Sequence, residues 1–299
     1  MNMTARPTSI DRPSRAARHS PRIDWRRMLL HVIAVIFTAA YLLPIFLLLL
    51  TGLKSYGEVN LYDMWALPRS LSFQSFVDAW KGSPISVGLG PNFINSFLVV
   101  VPATLISAFM GAVNGYVLSK WKFRGADIIF ALMLFGMFIP YQSILIPMVK
   151  TLNFMGLYGS LTGLVFVHIV YGLPFCTLIF RNYYASLPDE MLEAAKIDGA
   201  HFFNIFTRIL LPLSGPAFVI TMIGQFSTIW NDFLFAVVVT NSPANQPVTV
   251  ALNNLAGSFS VEWNVQFAGA LIAALPTLLV YIFLGRFFAR GLVAGSIKG

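Results

Sequence analysis

The sequence predicts an all-α integral membrane protein with six transmembrane helices, and three observations lead there. Of its 299 residues, 57% are hydrophobic and 11% are charged, against roughly 25% charged in an ordinary soluble domain. Six separate stretches stay apolar over the ~20 residues that a helix needs to cross the hydrocarbon core of a bilayer. The basic residues that remain gather on alternate connections between those stretches. This composition excludes a typical soluble enzyme and a disordered chain. A lone cysteine, Cys176, excludes an internal disulfide and a Cys-based metal cluster.

Residues 1–27 are Arg-rich and polar, and read as a cytoplasmic tail. The apolar run behind them, residues 28–50, holds only His31 as an ionisable group. It is too long for a signal-peptide core and lacks a small-residue cleavage site, so it is predicted to be retained as the first span. Residues 51–91 form a long extracytoplasmic loop with Trp65, Trp80 and several Gly/Pro breaks, suited to short amphipathic pieces near the interface. Residues 92–288 supply five further helices, expected at about 92–118, 126–149, 160–180, 211–239 and 267–288; residues 289–299 are a cytoplasmic tail. Pro44, Pro102, Pro140, Pro147, Pro174 and Pro276 fall inside these runs. Membrane bundles tolerate such prolines because neighbours satisfy the freed carbonyls. Gly111 and Gly115 form a small-x-x-x-small pattern, read as close helix packing rather than a subunit contact.

Sixteen of the twenty Lys and Arg lie before the first span, after the second, fourth and sixth, or beside them. Lys54, Arg69, Lys81 and Lys150 are the exceptions. By the positive-inside rule both termini are cytoplasmic. The formal net charge of +8 is therefore mostly a topology signal, and nucleic acid is not expected as a partner.

One polar connection stands out. Residues 181–212 carry four of the twelve acidic residues. Pro188, Asp189 and Glu190 make a helix start, residues 191–196 continue it, and Asp198-Gly199 ends it. A second amphipathic run follows, with Phe203, Phe206, Ile209 and Leu210 expected on one face before Pro212. The plain reading is an interfacial linker with its aromatics on the membrane. The functional reading is a docking element: small Ala194, Ala195 and Gly199 permit close approach, and Glu193 and Asp198 offer carboxylates to a partner's arginines.

These residues also resemble a known motif. Glu193-Ala194-Ala195, then Gly199, then Ile209-Leu210-Leu211-Pro212 is similar to the EAA motif of binding-protein-dependent ABC importer permeases, in its spacing and its place between the fourth and fifth spans. The tail Arg290-Gly291-Leu292-Val293-Ala294-Gly295-Ser296-Ile297-Lys298-Gly299 resembles MalG-type carbohydrate permease subunits. Trp230-Asn231-Asp232-Phe233 and residues 246–252 are similar to carbohydrate importers of that class. The wording of residues 111–125 and 168–182 is closest to the glucose/mannose type. The likeness covers the chain from about residue 28 onward. It implies a type I ABC importer permease in a bacterial inner (plasma) membrane, carrying no cofactor. The implied partners are a second homologous permease subunit, an ATP-binding cassette ATPase dimer, an extracytoplasmic sugar-binding protein and a small sugar substrate. It further implies that Glu193, Ala194, Ala195, Asp198, Gly199, Ile209, Leu211 and Pro212 couple to the ATPase. Gly295, Lys298 and Gly299 would reach between the ATPase subunits.

The chain has no phosphate-binding G-x-x-x-x-G-K-[ST] loop and no metal-spaced histidines, so energy must come from a partner and no enzymatic activity is expected. For the translocation pathway the candidates are Asn231 and Asp232, costly to bury in hydrocarbon, with Trp230, Gln225, Tyr141 and Gln142 ranked beside or below them. If the fifth span ends early, Asp232 sits at the outer interface instead. His168 is either a site residue or a neutral imidazole held by a nearby carbonyl, the second being the plainer reading. Rival functions are an ABC permease for a non-sugar solute and a stand-alone ion-coupled transporter; the latter predicts paired intramembrane charges and an inverted repeat.

Overall fold

The computed structural model describes residues 25–296 except 61, 84–85, 122 and 257–260, with backbone alone at 86 and 286–296. The chain divides into residues 1–46 and 47–299, and each part is taken by itself. The first helix, α1 (Trp25–Gly52), is apolar and continues through Pro44. Within residues 25–46 its polar side chains turn back on its own backbone: His31 Nδ1 lies 2.6 Å from the Arg27 carbonyl, and the Thr38 hydroxyl donates to Ala34 at 2.7 Å. Such self-satisfaction suits a helix whose solvent is hydrocarbon.

The main part is built on two long helices, α3 (Gly90–Lys120) and α6 (Leu161–Ala185), after a short α2 (Gln74–Lys81) and a two-stranded hairpin, Gly82–Ser83 with Ser86–Val87. A Cβ on Gly111 would lie 2.3 Å from Cys176 Cβ, and one on Gly115 2.6 Å from Phe180 Cβ. The glycine pair is thus the contact surface of α3 on α6, internal packing as expected. The last helix, α13 (Trp263–Ser296), packs on α2 through Val265, Ala268 and Ala79.

Two expected spans are not single straight helices. The third is α4 (Ala126–Met137), a 3₁₀ turn at Tyr141–Ile144 and α5 (Leu145–Phe154), bent by 95°. Pro140 has no N–H to continue the ladder and disfavours a helical Ile139. The fifth starts as α8 (Phe202–Ile205), a π turn at Phe206–Leu210 and α9 (Leu211–Leu213). It then turns 74° at Ser214 into α10 (Gly215–Trp230). The helix stops at Trp230 and restarts as α11 (Leu234–Val239), followed by α12 (Val248–Leu255). Among the described residues four helices are long and apolar enough to span a bilayer, and the expected six result if each bent pair counts as one span. The sixth candidate span is Trp263–Gly285, and the backbone of residues 289–296, expected as a tail, continues α13 as helix.

Candidate functional site

The polar connection folds as a braced platform. Its first helix, α7 (Asp189–Ile197), has Asp189 and Glu190 in its first turn and Lys196 in its last, as the macrodipole favours. It closes in a Schellman motif: Gly199 N–H donates to Lys196 at 3.0 Å and Ala200 N–H to Ala195 at 2.9 Å. Gly199 has φ +81°, a left-handed conformation that glycine adopts without cost.

Four side chains fix this platform to the spans. Lys120 Nζ, at the end of α3, donates to the Leu187 carbonyl at 2.7 Å and to Asp189 Oδ1 at 2.6 Å. Tyr116 stacks on Phe202 and Phe206, with ring centroids 4.8 and 5.8 Å apart. The Tyr183 hydroxyl donates to the Leu213 carbonyl at 2.6 Å, and those of Tyr184 and Ser214 meet at 2.8 Å. Leu192, Ile205, Phe206 and Leu210 are buried beneath. Above this base Glu193, Ala194, Asp198 and Gly199 are exposed, Ala195 is half-buried, and Pro212 is exposed at the elbow into α10.

The expected face of Phe203, Phe206, Ile209 and Leu210 needs correction. Phe206 and Leu210 are buried and Ile209 is half-buried, but Phe203 is 69% exposed. The π turn at Phe206–Leu210 adds a residue to the winding and shifts the phase, so Phe202 and Ile205 point inward in place of Phe203. Sequence reasoning also missed Ile197, which is 87% exposed beside Asp198. The signal was present: it is the one large apolar residue in the Lys196–Gly199 turn.

The second site is a cavity of about 820 Å³. Both helix breaks open on it: Met137 and Tyr141 flank one, and Asn231, Asp232 and Phe233 form the other. Unpaired backbone at membrane depth is tolerated only where it is buried in protein or lines a wet cavity. At 1.5 Å per residue, α4 runs about 18 Å and α10 about 24 Å before the break, both shorter than the ~30 Å hydrocarbon core of a bilayer.

Asp232 is the centre of this cavity, with its side chain 14% exposed. Its carboxylate accepts from Phe235 N–H at 3.3 Å and Ala236 N–H at 3.0 Å, capping α11. His168 Nε2 lies 3.6 Å from Asp232 Oδ2, so the histidine faces a carboxylate and not the carbonyl expected for it. Thr249, at the start of α12, donates to the Asp232 carbonyl at 2.7 Å. Asn231 Nδ2 donates to Ser227 at 2.8 Å, and Gln225 Nε2 lies 3.4 Å from the Gly172 carbonyl. Tyr141 and Tyr171 pack on Phe235 at 5.6 and 4.8 Å between centroids.

Of the pathway candidates, Tyr141, Gln225, Asn231 and Asp232 line one cavity. Trp230 and Gln142 do not. Trp230 is buried, lies edge-on to Phe93 and Phe97, and donates Nε1–H to the Ala273 carbonyl at 2.9 Å, which holds α10 to α13. Gln142 is exposed in the 3₁₀ turn. Gly295 lies in the helical backbone of α13, whereas Lys298 and Gly299 lie outside the described residues.

Comparison with known proteins is consistent across sequence and fold. The family described as "binding-protein-dependent transport system inner membrane component" matches residues 103–293. A probable ABC transporter permease of Pyrococcus horikoshii is 43% identical over 93% of this chain and 99% of its own length. A xylose/arabinose import permease of Haloferax volcanii is 34% identical over 90% of this chain and 93% of its own. A glucose import system permease of Saccharolobus solfataricus is 31% identical over 90% and 96%. Among solved structures, a bacterial ABC transporter that imports the acidic polysaccharide alginate superposes with a TM-score of 0.74, covering 88% of this chain and 96% of that one at 20% identity.

Proposed function

The chain belongs to the binding-protein-dependent transport inner membrane component family and is a multi-pass permease subunit of an ABC importer, with ATP hydrolysis on separate subunits; from that premise we propose that its cargo is a sugar and that α7 and its glycine turn are the coupling element. Relatives named for xylose/arabinose and glucose import support the cargo class. The coupling reading rests above all on the exposed Glu193-Ala194 edge and Asp198-Gly199 turn, carried on a base braced to α3, α6 and α10. A force applied to the exposed edge reaches α3 through Lys120 and reaches α10 through the Tyr183–Leu213 and Tyr184–Ser214 contacts.

In this reading the platform and both termini face the cytoplasm, which the distribution of basic residues supports. The chain pairs with a second, homologous permease, an ATPase dimer and an extracytoplasmic sugar-binding protein. Closure of the ATPase dimer on ATP draws the two coupling helices together, the spans rock outward-facing, and the binding protein releases sugar into the path. The C-terminal residues Gly295, Lys298 and Gly299 reach between the ATPase subunits. Tyr141, Gln225, Asn231 and Asp232 face the path, with His168 behind Asp232.

A cysteine at position 193 (Glu193→Cys), paired with cysteines across the cleft of the ATPase subunit, tests the coupling reading. Cross-linking that changes with bound nucleotide is expected; no cross-link at any of positions 193–195, 198 and 199 would refute it.

A further inference from the structure

The cavity has a chemistry that selects its occupant. Its volume of about 820 Å³ falls in the roughly 300–1,000 Å³ range of small-molecule sites. Among the described residues lining it, Asp232 is the one carboxylate, and there is no Lys or Arg. An anionic ligand would meet a negative charge with no cation to balance it. A purely apolar ligand would strand the polar groups.

Those groups have hydrogen-bonding capacity to spare. Asp232 Oδ1 takes Phe235 N–H and Oδ2 takes Ala236 N–H, and a carboxylate offers about four lone-pair sites in all. Asn231 and Gln225 each spend one N–H on Ser227 and Gly172, which leaves the amide oxygen of each to accept and a second N–H on Asn231 to donate. Gly172 makes the room for this: a Cβ there would lie 2.6 Å from Gln225 Oε1. Ser227 Oγ is buried and has no hydrogen-bond partner among the described residues, an arrangement that costs about 1–3 kcal/mol unless a ligand or water meets it. The same cavity is lined by the rings of Tyr141, Tyr171 and Phe235, which pack on one another. Several hydroxyl donors and an apolar ring face describe a neutral sugar.

We propose that this subunit itself binds the transported sugar, as an uncharged saccharide ring that donates hydroxyls to Asp232, Asn231 and Gln225 while stacking on the aromatic wall. This rests on the sugar-importer reading and goes beyond it, since half of a pathway can be lined without holding cargo. His168, 3.6 Å from Asp232, is a positioning residue for the carboxylate.

The test uses the intact complex of both permeases and the ATPase dimer, without binding protein, trapped with vanadate and ADP. Binding of radiolabelled glucose, xylose, arabinose and maltose is measured by equilibrium dialysis, alongside uptake of the same sugars by cells. Asp232→Asn keeps one of the two capping acceptors and removes the charge, and Gln225→Leu is the second variant should the first fail to assemble. The expected result is saturable binding of at least one neutral sugar by the wild-type complex, weakened at least tenfold in either variant. Uptake by wild-type cells with no binding to the trapped complex, or unchanged binding in both variants, would overturn the proposal and leave the importer reading intact. No uptake of any sugar would instead overturn the importer reading. Binding that requires sodium and loses that requirement in Asp232→Asn would make Asp232 a cation site and refute the saccharide contact.

Discussion

Replacing Gly199 separates two reasons for a glycine at the tip of the platform. The first is conformational: at φ +81° an L-residue other than Asn or Asp costs roughly 1–2 kcal/mol, a factor of about 5–30 in the population of the native turn. The second is surface: an ideal Cβ at this position meets nothing within 4 Å, so a side chain here clashes with no part of this chain and obstructs only something docked from outside. Gly199→Ala carries the conformational cost with little bulk. Gly199→Asn tolerates the left-handed turn and keeps the Ala195–Ala200 closure, but fills the bare surface. If the turn is a docking face, Gly199→Asn inserts, assembles and melts like the wild type yet loses at least tenfold in sugar uptake, with ATP hydrolysis no longer matched by transport. The assay is radiolabelled sugar uptake in cells lacking the chromosomal copy, with membrane abundance measured in parallel. Wild-type uptake by Gly199→Asn beside impaired Gly199→Ala would refute the docking argument, because the turn alone would then explain the glycine.

Three further outcomes follow from the same geometry. Lys120→Met removes the ammonium that holds Leu187 and Asp189; because Asp189 is largely exposed, the ion pair adds little, and the main loss is the bond to the Leu187 carbonyl, about 1–3 kcal/mol. Transport per ATP hydrolysed should fall while the amount of inserted protein stays near normal; unchanged coupling would show that α7 moves the spans by another route. Gly111→Leu should abolish stable insertion, since even a Cβ there falls 2.3 Å from Cys176 Cβ, whereas Gly136→Ala, with open space around it, should be neutral or slightly stabilising; size-exclusion chromatography of the two variants checks this. Trp230→Phe loses the bond to Ala273 and should lower the Tm of the complex by the equivalent of about 1 kcal/mol without altering sugar selectivity, and a changed selectivity would return Trp230 to the pathway.

How much was legible in the sequence depended on whether the cause was local. Membrane insertion was legible because lipid requires only that each stretch be apolar and long enough. The exposed turn was legible because Glu193, Ala194, Ala195, Asp198 and Gly199 lie within seven consecutive residues, and a Schellman closure is made by the backbone around them. The buried face behind it was misjudged at Phe203, because a π turn changes the winding without any residue that announces it. Gln142 and Trp230 were ranked with Tyr141 and Asn231 because they are sequence neighbours, yet one helix turn or one residue places a side chain on the opposite side of the wall.

The sequence by itself determined the solvent of this chain, its number of spans and the loop that carries the motif, since each follows from composition or from contacts within a few residues. Only the tertiary structure decided which spans break. Pro44, Pro102, Pro174 and Pro276 sit inside uninterrupted helices, while the chain bends by 95° at Pro140 and stops at Asn231 with no proline there at all. A freed backbone group is tolerated wherever neighbouring helices or a cavity satisfy it, and that supply comes from side chains far away in the chain: Thr249 on the Asp232 carbonyl and Gln225 on the Gly172 carbonyl. Those distances arise only when α4, α6, α10 and α12 pack together, and they bring Tyr141, Gln225, Asn231 and Asp232 onto one cavity.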